Sequence, residues 1–236
     1  MIIKYVKMRP TIYYCYDAWC GWCFGFSGVI NKISKAYQAD IFFDVLSGGM
    51  IPVENKQPIK ATASYIRNSY RQVEELAGVK FGGDYLWHIN HPEESDWFPE
   101  SLTPAKAMCI LKESHPGKAV DFATALQKGL FIEGRDLSDP EAYRHLLPIF
   151  DLDEESFFKK LKQDEYSEKA KYEFAQVKQL QVSGFPCVLM QVSDTKFYLL
   201  ARGYTAYEDL AQRIENVLTE INHIKHDIND NTESNH

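Results

Sequence analysis

The sequence predicts an α/β fold that a long helical segment interrupts. Three observations support this prediction. Residues 10–50 alternate between β-forming and helix-forming patterns, no convincing strand follows between about 58 and 165, and two further strand patterns with a final helix follow after 185. The chain has 236 residues, of which 45% are hydrophobic and 25% charged, so it is long and apolar enough for two packed units and is not disordered throughout.

The first part of the chain predicts a β–α–β unit. Residues 10–16 read PTIYYCY and predict a buried strand, and the apolar residues after it recur at spacings of three and four, which is typical of an amphipathic helix. Residues 40–50, DIFFDVLSGGM, predict a second strand that the Gly48-Gly49 pair ends. The pair of cysteines in CGWC, Cys20 and Cys23, therefore lies where a strand leads into a helix.

The segment 58–165 predicts a mostly helical unit. An apolar stripe from Ala63 to Ala77 predicts one helix, and LTPAKAMCILKE predicts another, with Thr103 as its N-cap and Pro104 as its first helical residue.

Further start signals follow along this segment. A helix is expected after Pro116, another in SDPEAYRHLL with Ser138 or Asp139 as its cap, and another from Asp153. Residues 81–100 are expected to form a long irregular loop because they contain several glycines and prolines.

The α/β pattern resumes after this segment. A helix is expected near 166–181, followed by strands at 185–192 and 196–203 that SDT joins as a short hairpin turn. Apolar residues from 207 to 221 predict a final helix.

These patterns together predict how the chain divides into domains. Residues 1–57 and 166–221 are expected to form one α/β domain, 58–165 an inserted helical domain, and 222–236 a polar C-terminal tail.

Charge and hydropathy narrow the classes of partner. The net charge is −7 and no basic cluster is present, so nucleic acid is not expected as a partner. No stretch approaches the roughly 18 apolar residues that would span a bilayer. The first residues lack the apolar core of a secretory signal, so the expected location is cytoplasmic. Five cysteines, an odd number, do not predict a disulfide-stapled secreted scaffold.

The spacing and position of Cys20 and Cys23 predict thiol–disulfide chemistry. The first turn of a helix offers unpaired peptide N–H groups and the positive end of the helix dipole, which stabilise a thiolate on Cys20. Cys23 lies one turn further on, within reach of the Cys20 sulfur but better shielded. We therefore expect an exposed nucleophile at Cys20 and a resolving thiol at Cys23.

The chain resembles the thioredoxin superfamily, and within it the DsbA-like proteins. The similarity lies in YDAWCGWCFGFS at 16–27, SGGM at 47–50, FIEGRDLSDPEAY at 131–143 and SGFPCVLM at 183–190. It extends over residues 10–220 and implies a thioredoxin-like fold with an inserted all-helical domain. It also implies a cytoplasmic protein dithiol–disulfide oxidoreductase or isomerase.

The resemblance also implies a substrate-binding set. Pro186 matches the family's cis-proline, and a cis bond there would leave Phe185 free to pair with an extended substrate. Trp19 and Trp22 are expected to line this position with Gly21, although the two tryptophans could instead close a cleft between domains. Cys187 follows Pro186, where the family usually has a small hydroxyl or apolar residue, and we expect its thiol to be buried and inert.

Several alternatives remain open. Zinc would need two further ligands, and the chain has no second CxxC and no HxxxH. Asp17 could tune the thiols or form a local turn. A glutathione-dependent enzyme of the hydroxychromene-carboxylate isomerase or kappa-class transferase type would usually have serine in place of Cys20. A non-catalytic DsbA-like adaptor would suit the helical insertion.

The expected partners are protein or small-molecule disulfides and thiols, glutathione among them. No metal, nucleotide or flavin is expected, because no phosphate-binding glycine loop is present. The substrate, the direction of electron flow, the electron donor and the oligomeric state do not follow from the sequence.

Overall fold

A mixed four-stranded sheet forms the centre of the protein. The computed structural model describes residues 9–233, with side chains described as far as residue 222. The strands are β1 (Thr11–Tyr16), β2 (Phe42–Ser47), β3 (Cys187–Gln191) and β4 (Phe197–Arg202). Their order in the sheet is β2-β1-β3-β4, in which β1 is parallel to β2 and β3 is antiparallel to both of its neighbours. All four strands lie where the sequence predicts them.

Eight α-helices surround this sheet within the described part of the chain. They are α1 (Gly21–Tyr37), α2 (Lys60–Ala77), α3 (Gly83–Asn90), α4 (Leu102–Ser114), α5 (Ala119–Phe131), α6 (Glu154–Leu161), α7 (Asp164–Gln179) and α8 (Tyr207–Glu233). Short 3₁₀ helices occupy Val53–Asn55, Pro116–Lys118 and Pro140–Leu146. The chain between β2 and β3 contains only helices and loops, which confirms an α/β fold with a helical insertion.

The alternation of side chains along β1 divides the core between the two faces of the sheet. Ile12, Tyr14 and Tyr16 belong to the large cluster, which includes α1 and the helical segment. Cys15 belongs to a smaller cluster on the other face, which includes Val177 of α7. Helix α1 therefore lies between the sheet and the helical segment, and one continuous core joins the two.

A glycine allows α1 to approach the helical segment closely. A Cβ at Gly25 would lie 2.9 Å from Cγ1 of Val73 and 3.0 Å from Cβ of Ala77, both on α2. One residue earlier, the Phe24 ring packs against Phe81 and Phe131, with ring centroids 5.2 and 5.1 Å apart. The first turns of α1 thus pack against both α2 and α5.

The prediction that residues 81–100 form an irregular loop is wrong for the part that forms α3. Tyr85 and Ile89, four residues apart, are buried on one face of that helix. Gly82 precedes the helix, and its N–H donates to the Phe131 carbonyl at 2.8 Å. A Cβ there would meet the Ile132 carbonyl oxygen at 1.8 Å. The glycine therefore serves a close backbone contact rather than interrupting a helix.

The prediction of Thr103 as the N-cap of α4 is also wrong. The helix begins at Leu102 with Ser101 as its N-cap residue, so Pro104 lies in the first turn but not at its first position. The carboxylate of Glu100 accepts the N–H groups of Leu102 at 2.6 Å and Thr103 at 3.0 Å. A carboxylate one residue before the cap thus binds the free N–H groups of the first turn. Of the two caps predicted for residues 140–146, Ser138 or Asp139, the structure has Asp139, and the helix predicted from Asp153 begins at Glu154 with Asp153 as its N-cap.

The last helix is longer than the sequence pattern predicts. Helix α8 continues to Glu233, so residues 222–233, predicted as a polar tail, are helical. The rest of that predicted tail, 234–236, and residues 1–8 lie outside the described residues. The division into domains at 57/58 and 165/166 stays a prediction.

Candidate active site

Cys20 occupies the N-cap position of α1, at the strand–helix junction where the sequence places it. Its backbone is extended, with φ −85° and ψ 110°, and its sulfur accepts the N–H of Cys23 at 3.3 Å. A sulfur at this position lies at the positive end of the helix dipole and receives an N–H that the helix itself does not use. The Cys20 side chain therefore caps the start of α1.

The burial of the two thiols is only partly as expected. Cys23 is fully buried, as a shielded second thiol should be. Cys20 is buried as well, with only 7% of its surface exposed, so the prediction of an exposed nucleophile is wrong. Burial raises the pKa of Cys23 well above its ordinary value, and the neighbouring Cys20 adds to that rise. Cys20 nevertheless lines an open cleft, whereas Cys23 does not.

The loop before β3 covers Cys20. The Phe185-Pro186 peptide bond is cis, as the resemblance implies. The Cys20 thiol donates to the Phe185 carbonyl oxygen, with sulfur and oxygen 3.7 Å apart. Phe185 precedes the first residue of β3, so it lies outside the strand ladder. The fold thus brings Phe185 and Pro186 to the CxxC across more than 160 residues of sequence.

The two glycines after β2 shape the same place. A Cβ at Gly48 would lie 2.0 Å from Cζ of the Phe185 ring, so only glycine leaves room for that ring. Gly49 has φ +65°, and a Cβ there would meet the Phe174 ring at 2.6 Å. The sequence predicts only that this pair ends a strand. Its role in seating Phe185 has no sequence signal beyond the glycines themselves.

The two tryptophans have different surroundings. Trp19 is buried, and its indole N–H donates to the Glu100 carbonyl at 2.8 Å. Its ring also packs edge-on against Trp97, with centroids 6.0 Å apart. Trp22 is half-buried and faces the cleft more openly. Trp19 therefore joins the CxxC turn to the helical segment, and Glu100 is a supporting residue that sequence reasoning missed.

Asp17 forms a buried turn beside the thiols. One carboxylate oxygen accepts the N–H of Trp19 at 3.1 Å, and the other accepts the N–H of Met50 at 2.8 Å. Burial raises the pKa of Asp17, and the hydrogen bond from Met50 opposes that rise. These contacts confirm the interpretation of Asp17 as a turn residue and tie the CxxC turn to the turn after β2.

A cleft of about 550 Å³ opens beside Cys20. It lies between the start of α1, helix α2 and the loop 183–185, and Gly21 lines it together with both tryptophans. At Gly21 a Cβ would stay 3.6 Å from the Phe81 ring, so this glycine is not forced by packing. Apolar and aromatic side chains dominate the walls, among them Trp22, Tyr65, Ile66, Tyr70 and Phe185. None of the described residues that line it is charged.

The remaining three cysteines lie away from this cleft. Cys15 and Cys187 face each other across β1 and β3, on the opposite face of the sheet from Tyr14. Cys109 lies in α4 and is also buried. Burial raises the pKa of all three thiols. Cys15 and Cys187 have the surroundings of small core side chains, whereas the Cys109 thiol donates to the Glu173 carboxylate at 3.7 Å.

Two further features concern the described residues only. Among them, no group of three or more His, Cys, Asp or Glu residues is placed to hold a metal ion. None of the helices in that part of the chain combines the length and the apolar character needed to cross a membrane.

Comparison with known proteins gives a family match over most of the chain. The model of the DSBA-like thioredoxin domain matches residues 11–215. No curated protein sequence matches significantly.

Several solved structures share the fold. A proposed protein disulfide isomerase from Nitrosomonas europaea has a TM-score of 0.77 at 23% identity, over 90% of this chain and 99% of that one. The cytosolic disulfide reductase DsbM from Pseudomonas aeruginosa, also solved with GSH, has a TM-score of 0.71 at 22% identity, over 89% of this chain and 98% of that one. A 2-hydroxychromene-2-carboxylate isomerase has a TM-score of 0.56 at 12% identity, over 92% of this chain and 98% of that one.

Proposed function

The chain belongs to the DSBA-like thioredoxin domain family, and from this we propose that it is a protein dithiol–disulfide oxidoreductase or isomerase that uses Cys20 and Cys23. One observation supports the proposal above the others. The Cys20 sulfur accepts an N–H at the start of α1, faces the Phe185 carbonyl and lines the cleft, while Cys23 is buried one turn below it. Such an asymmetric pair is what thiol–disulfide exchange requires.

The reaction takes place in two exchanges. The Cys20 thiolate attacks one sulfur of a substrate disulfide; the Cys20–substrate bond forms, the substrate S–S bond breaks, and the other substrate sulfur leaves with the electron pair. The Cys23 sulfur then attacks the Cys20 sulfur, which releases the substrate thiol and leaves a Cys20–Cys23 disulfide. The substrate gains two electrons and the protein loses two. A thiol or dithiol reductant restores the starting state.

The loop before β3 supports a role in holding the substrate. Pro186 has no N–H, and Phe185 precedes the strand ladder, so an extended chain can lie along this loop beside Cys20. Trp22 and Gly21 line the same cleft. Trp19 supports the CxxC turn through the hydrogen bond from its indole N–H to the Glu100 carbonyl. We assign substrate contact to Phe185, Pro186, Trp22 and Gly21 on these grounds.

The walls of the cleft favour a protein substrate over glutathione. Glutathione has two carboxylates and an ammonium group, whereas the described residues that line the cleft are uncharged. A peptide with apolar side chains next to its cysteine would bury them against Tyr70 and Phe185. We therefore propose protein disulfides as substrates and keep glutathione as a candidate reductant.

Direct redox titration tests the proposal. The protein is equilibrated in glutathione buffers, and its tryptophan fluorescence is recorded, since Trp19 precedes Cys20 and Trp22 precedes Cys23. A reversible two-electron transition is expected. A midpoint near roughly −270 mV would indicate a reductase, and one between about −180 and −120 mV an isomerase or oxidant. Absence of any transition would overturn the proposal.

A comparison of substrates tests the preferred class. We expect kcat/KM for a disulfide peptide with aromatic residues beside its cysteines to exceed that for glutathione disulfide at least tenfold. Equal values would contradict the assignment of protein substrates.

The cytoplasmic location belongs to this proposal and is supported by the DsbM likeness, because that protein is named a cytosolic reductase.

A further inference from the structure

A second pair of thiols lies on the face of the sheet opposite the CxxC. Cys15 of β1 and Cys187 of β3 are register partners on adjacent antiparallel strands. Both are reduced and buried, and both belong to the small apolar cluster that also contains Leu46 and Val177. Two nucleophilic groups that the exchange at Cys20 leaves unused thus face each other in one core.

The register of the strands brings these two thiols within range of a disulfide bond. Residues directly opposite each other on antiparallel strands have side chains on the same face and Cα atoms about 4.5 or 5.5 Å apart. Disulfides span Cα separations of about 4.4–6.8 Å. Their Cβ atoms must approach to about 3.5–4.5 Å, from about 4.5–5.5 Å in an ordinary opposite pair. Bond formation between Cys15 and Cys187 therefore needs an adjustment of about 1 Å and no change of register.

A pocket of about 220 Å³ gives access to Cys187. It lies between residues 180–184 and the strands β3 and β4. Ser183 and Gly184 line this pocket and also the active-site cleft, so one loop borders both openings. Cys187 lines the pocket, whereas Cys15 does not. A reagent that enters the pocket therefore meets Cys187 first.

Arg202 is the single charged residue among the described residues that line this pocket. It lies on β4 as the register partner of Cys187 on the other side, and its guanidinium donates to the Ser183 hydroxyl. Burial raises the pKa of Cys187, and the Arg202 guanidinium opposes that rise. Burial also raises the pKa of Cys15, and the neighbouring Cys187 adds to that rise. The cation thus favours Cys187 as the first thiol to react, and it attracts an anionic reagent.

We propose that Cys15 and Cys187 form a second redox-active dithiol, which a small anionic disulfide oxidises through the pocket at Arg202. The Cys187 thiolate attacks one sulfur of the small disulfide; the new S–S bond to Cys187 forms, the S–S bond of the reagent breaks, and one half leaves. The Cys15 sulfur then attacks the Cys187 sulfur, the bond between β1 and β3 forms, and the second half leaves. The protons of Cys187 and Cys15 end on the two released thiols. The protein loses two electrons and the small disulfide gains two.

The new bond joins the two strands that lead to the active site. Strand β1 ends at Tyr16, before the CxxC, and Cys187 directly follows Pro186. The reaction needs neither thiol of the CxxC, so it does not depend on the proposed function. The sequence predicts an inert thiol at Cys187 because it shows neither the partner thiol nor the pocket, which both arise from the packing of distant segments.

The test uses the full chain with the substitutions Cys20→Ser and Cys23→Ser, which leave Cys15, Cys109 and Cys187 as its thiols. The chain is incubated with glutathione disulfide, the remaining thiols are alkylated, and the intact mass and the protease fragments are measured. We expect a loss of two hydrogen atoms in mass and a fragment in which a disulfide joins β1 to β3. The unchanged protein should give the same fragment, so the test does not depend on the folding of the variant.

Single substitutions in this background separate the two thiols. Cys15→Ala should stop after the first step and keep one glutathione on Cys187, whereas Cys187→Ala should keep none. Cys109→Ala is the matched control, because that thiol is buried in α4, and it should form the cross-link at an unchanged rate. A chain that keeps all three thiols after prolonged incubation would overturn the inference. Glutathione bound to Cys109 or Cys15 instead of Cys187 would overturn it as well.

The charge of Arg202 is tested through the rate of cross-linking. Arg202→Met should slow the reaction with glutathione disulfide several-fold, and Arg202→Lys, which keeps the charge, should retain more than half of the rate. The difference between the two variants should shrink at high salt. Equal rates for both variants and the unchanged residue would contradict entry beside Arg202. None of these outcomes bears on Cys20 and Cys23, which the redox titration tests separately.

Discussion

The two thiols of the CxxC differ in what surrounds them, and their substitution should separate the two exchanges. Cys20→Ser should abolish reduction of a protein disulfide, because no thiol of the described residues then lines the cleft. Cys23→Ser should leave the first exchange intact and trap mixed disulfides, which run as high-mass bands on gels without reductant.

Cys109→Ser provides the control for both variants, since its thiol is buried in α4 away from the cleft. It should keep more than half of the activity and trap no partner. Full activity in Cys20→Ser would contradict the assigned nucleophile.

At the scale of elements, the turn after β2 positions the loop before β3. Gly48→Ala should push the Phe185 ring aside, since the added Cβ would lie 2.0 Å from it. Because Phe185 is proposed to contact the substrate, we expect KM for a protein disulfide to rise several-fold. The measurement is steady-state kinetics beside a thermal unfolding curve.

Gly28→Ala is the matched glycine control. Gly28 lies within α1, and a Cβ there would meet no atom within 4 Å. Alanine should stabilise the helix by about 0.5–1 kcal/mol and leave KM unchanged. An equal change of KM in both variants would mean that the Gly48 effect does not act through Phe185.

Another element-scale device is a largely buried ion cluster that joins β2, α4 and α7. The Lys112 ammonium lies 2.6 Å from the Asp44 carboxylate and 2.9 Å from that of Glu173. Burial lowers the pKa of Lys112, but Glu173 and Asp44 outweigh it, so the pKa is raised. Lys112→Met should destabilise the protein by about 3 kcal/mol, because it leaves the buried Glu173 without its cation.

Chemical denaturation would measure this effect, and Lys35→Met is its control because the Lys35–Asp121 pair, 3.9 Å apart, is exposed. A loss below about 1 kcal/mol for Lys112→Met would show that the cluster contributes no more than a surface pair.

At the scale of the whole molecule, the free energy of unfolding at acidic pH should depend on the carboxylate of Glu113. Glu113 of α4 accepts hydrogen bonds from Lys160, Lys169 and Tyr166 of the last two helices before β3. Burial alone would raise its pKa, but these partners lower it to about 2 from the ordinary 4.5. A lowered pKa in the folded state means that the stabilisation is complete above pH 4.5 and is lost as the pH falls towards 2.

We therefore expect Glu113→Gln to reduce the acid dependence of unfolding. Between pH 4.5 and 2 the unchanged protein should lose more stability than the variant, as measured by urea unfolding at each pH. Glu155→Gln, on α6, is the control and should keep the full dependence. Parallel pH curves for the unchanged protein and Glu113→Gln would contradict the role of this carboxylate.

The sequence by itself determined the features that depend on neighbours along the chain. The strand before Cys20, the helix after it, the helix that follows Asp153 and the positions of all four strands along the chain follow from local periodicity and helix start signals. Helix α3 was not predicted because Gly82, which precedes it, serves a contact with the distant Ile132 backbone rather than a local turn.

Only the tertiary structure decided what surrounds the thiols. The Phe185 carbonyl opposite Cys20 and the room that Gly48 leaves for the Phe185 ring both depend on which distant segments pack together. The burial of Cys20 has the same origin, since the loop before β3 covers a helix start that the sequence shows as open. Local spacing specifies which chemical groups are present, whereas long-range packing specifies the environment in which they react.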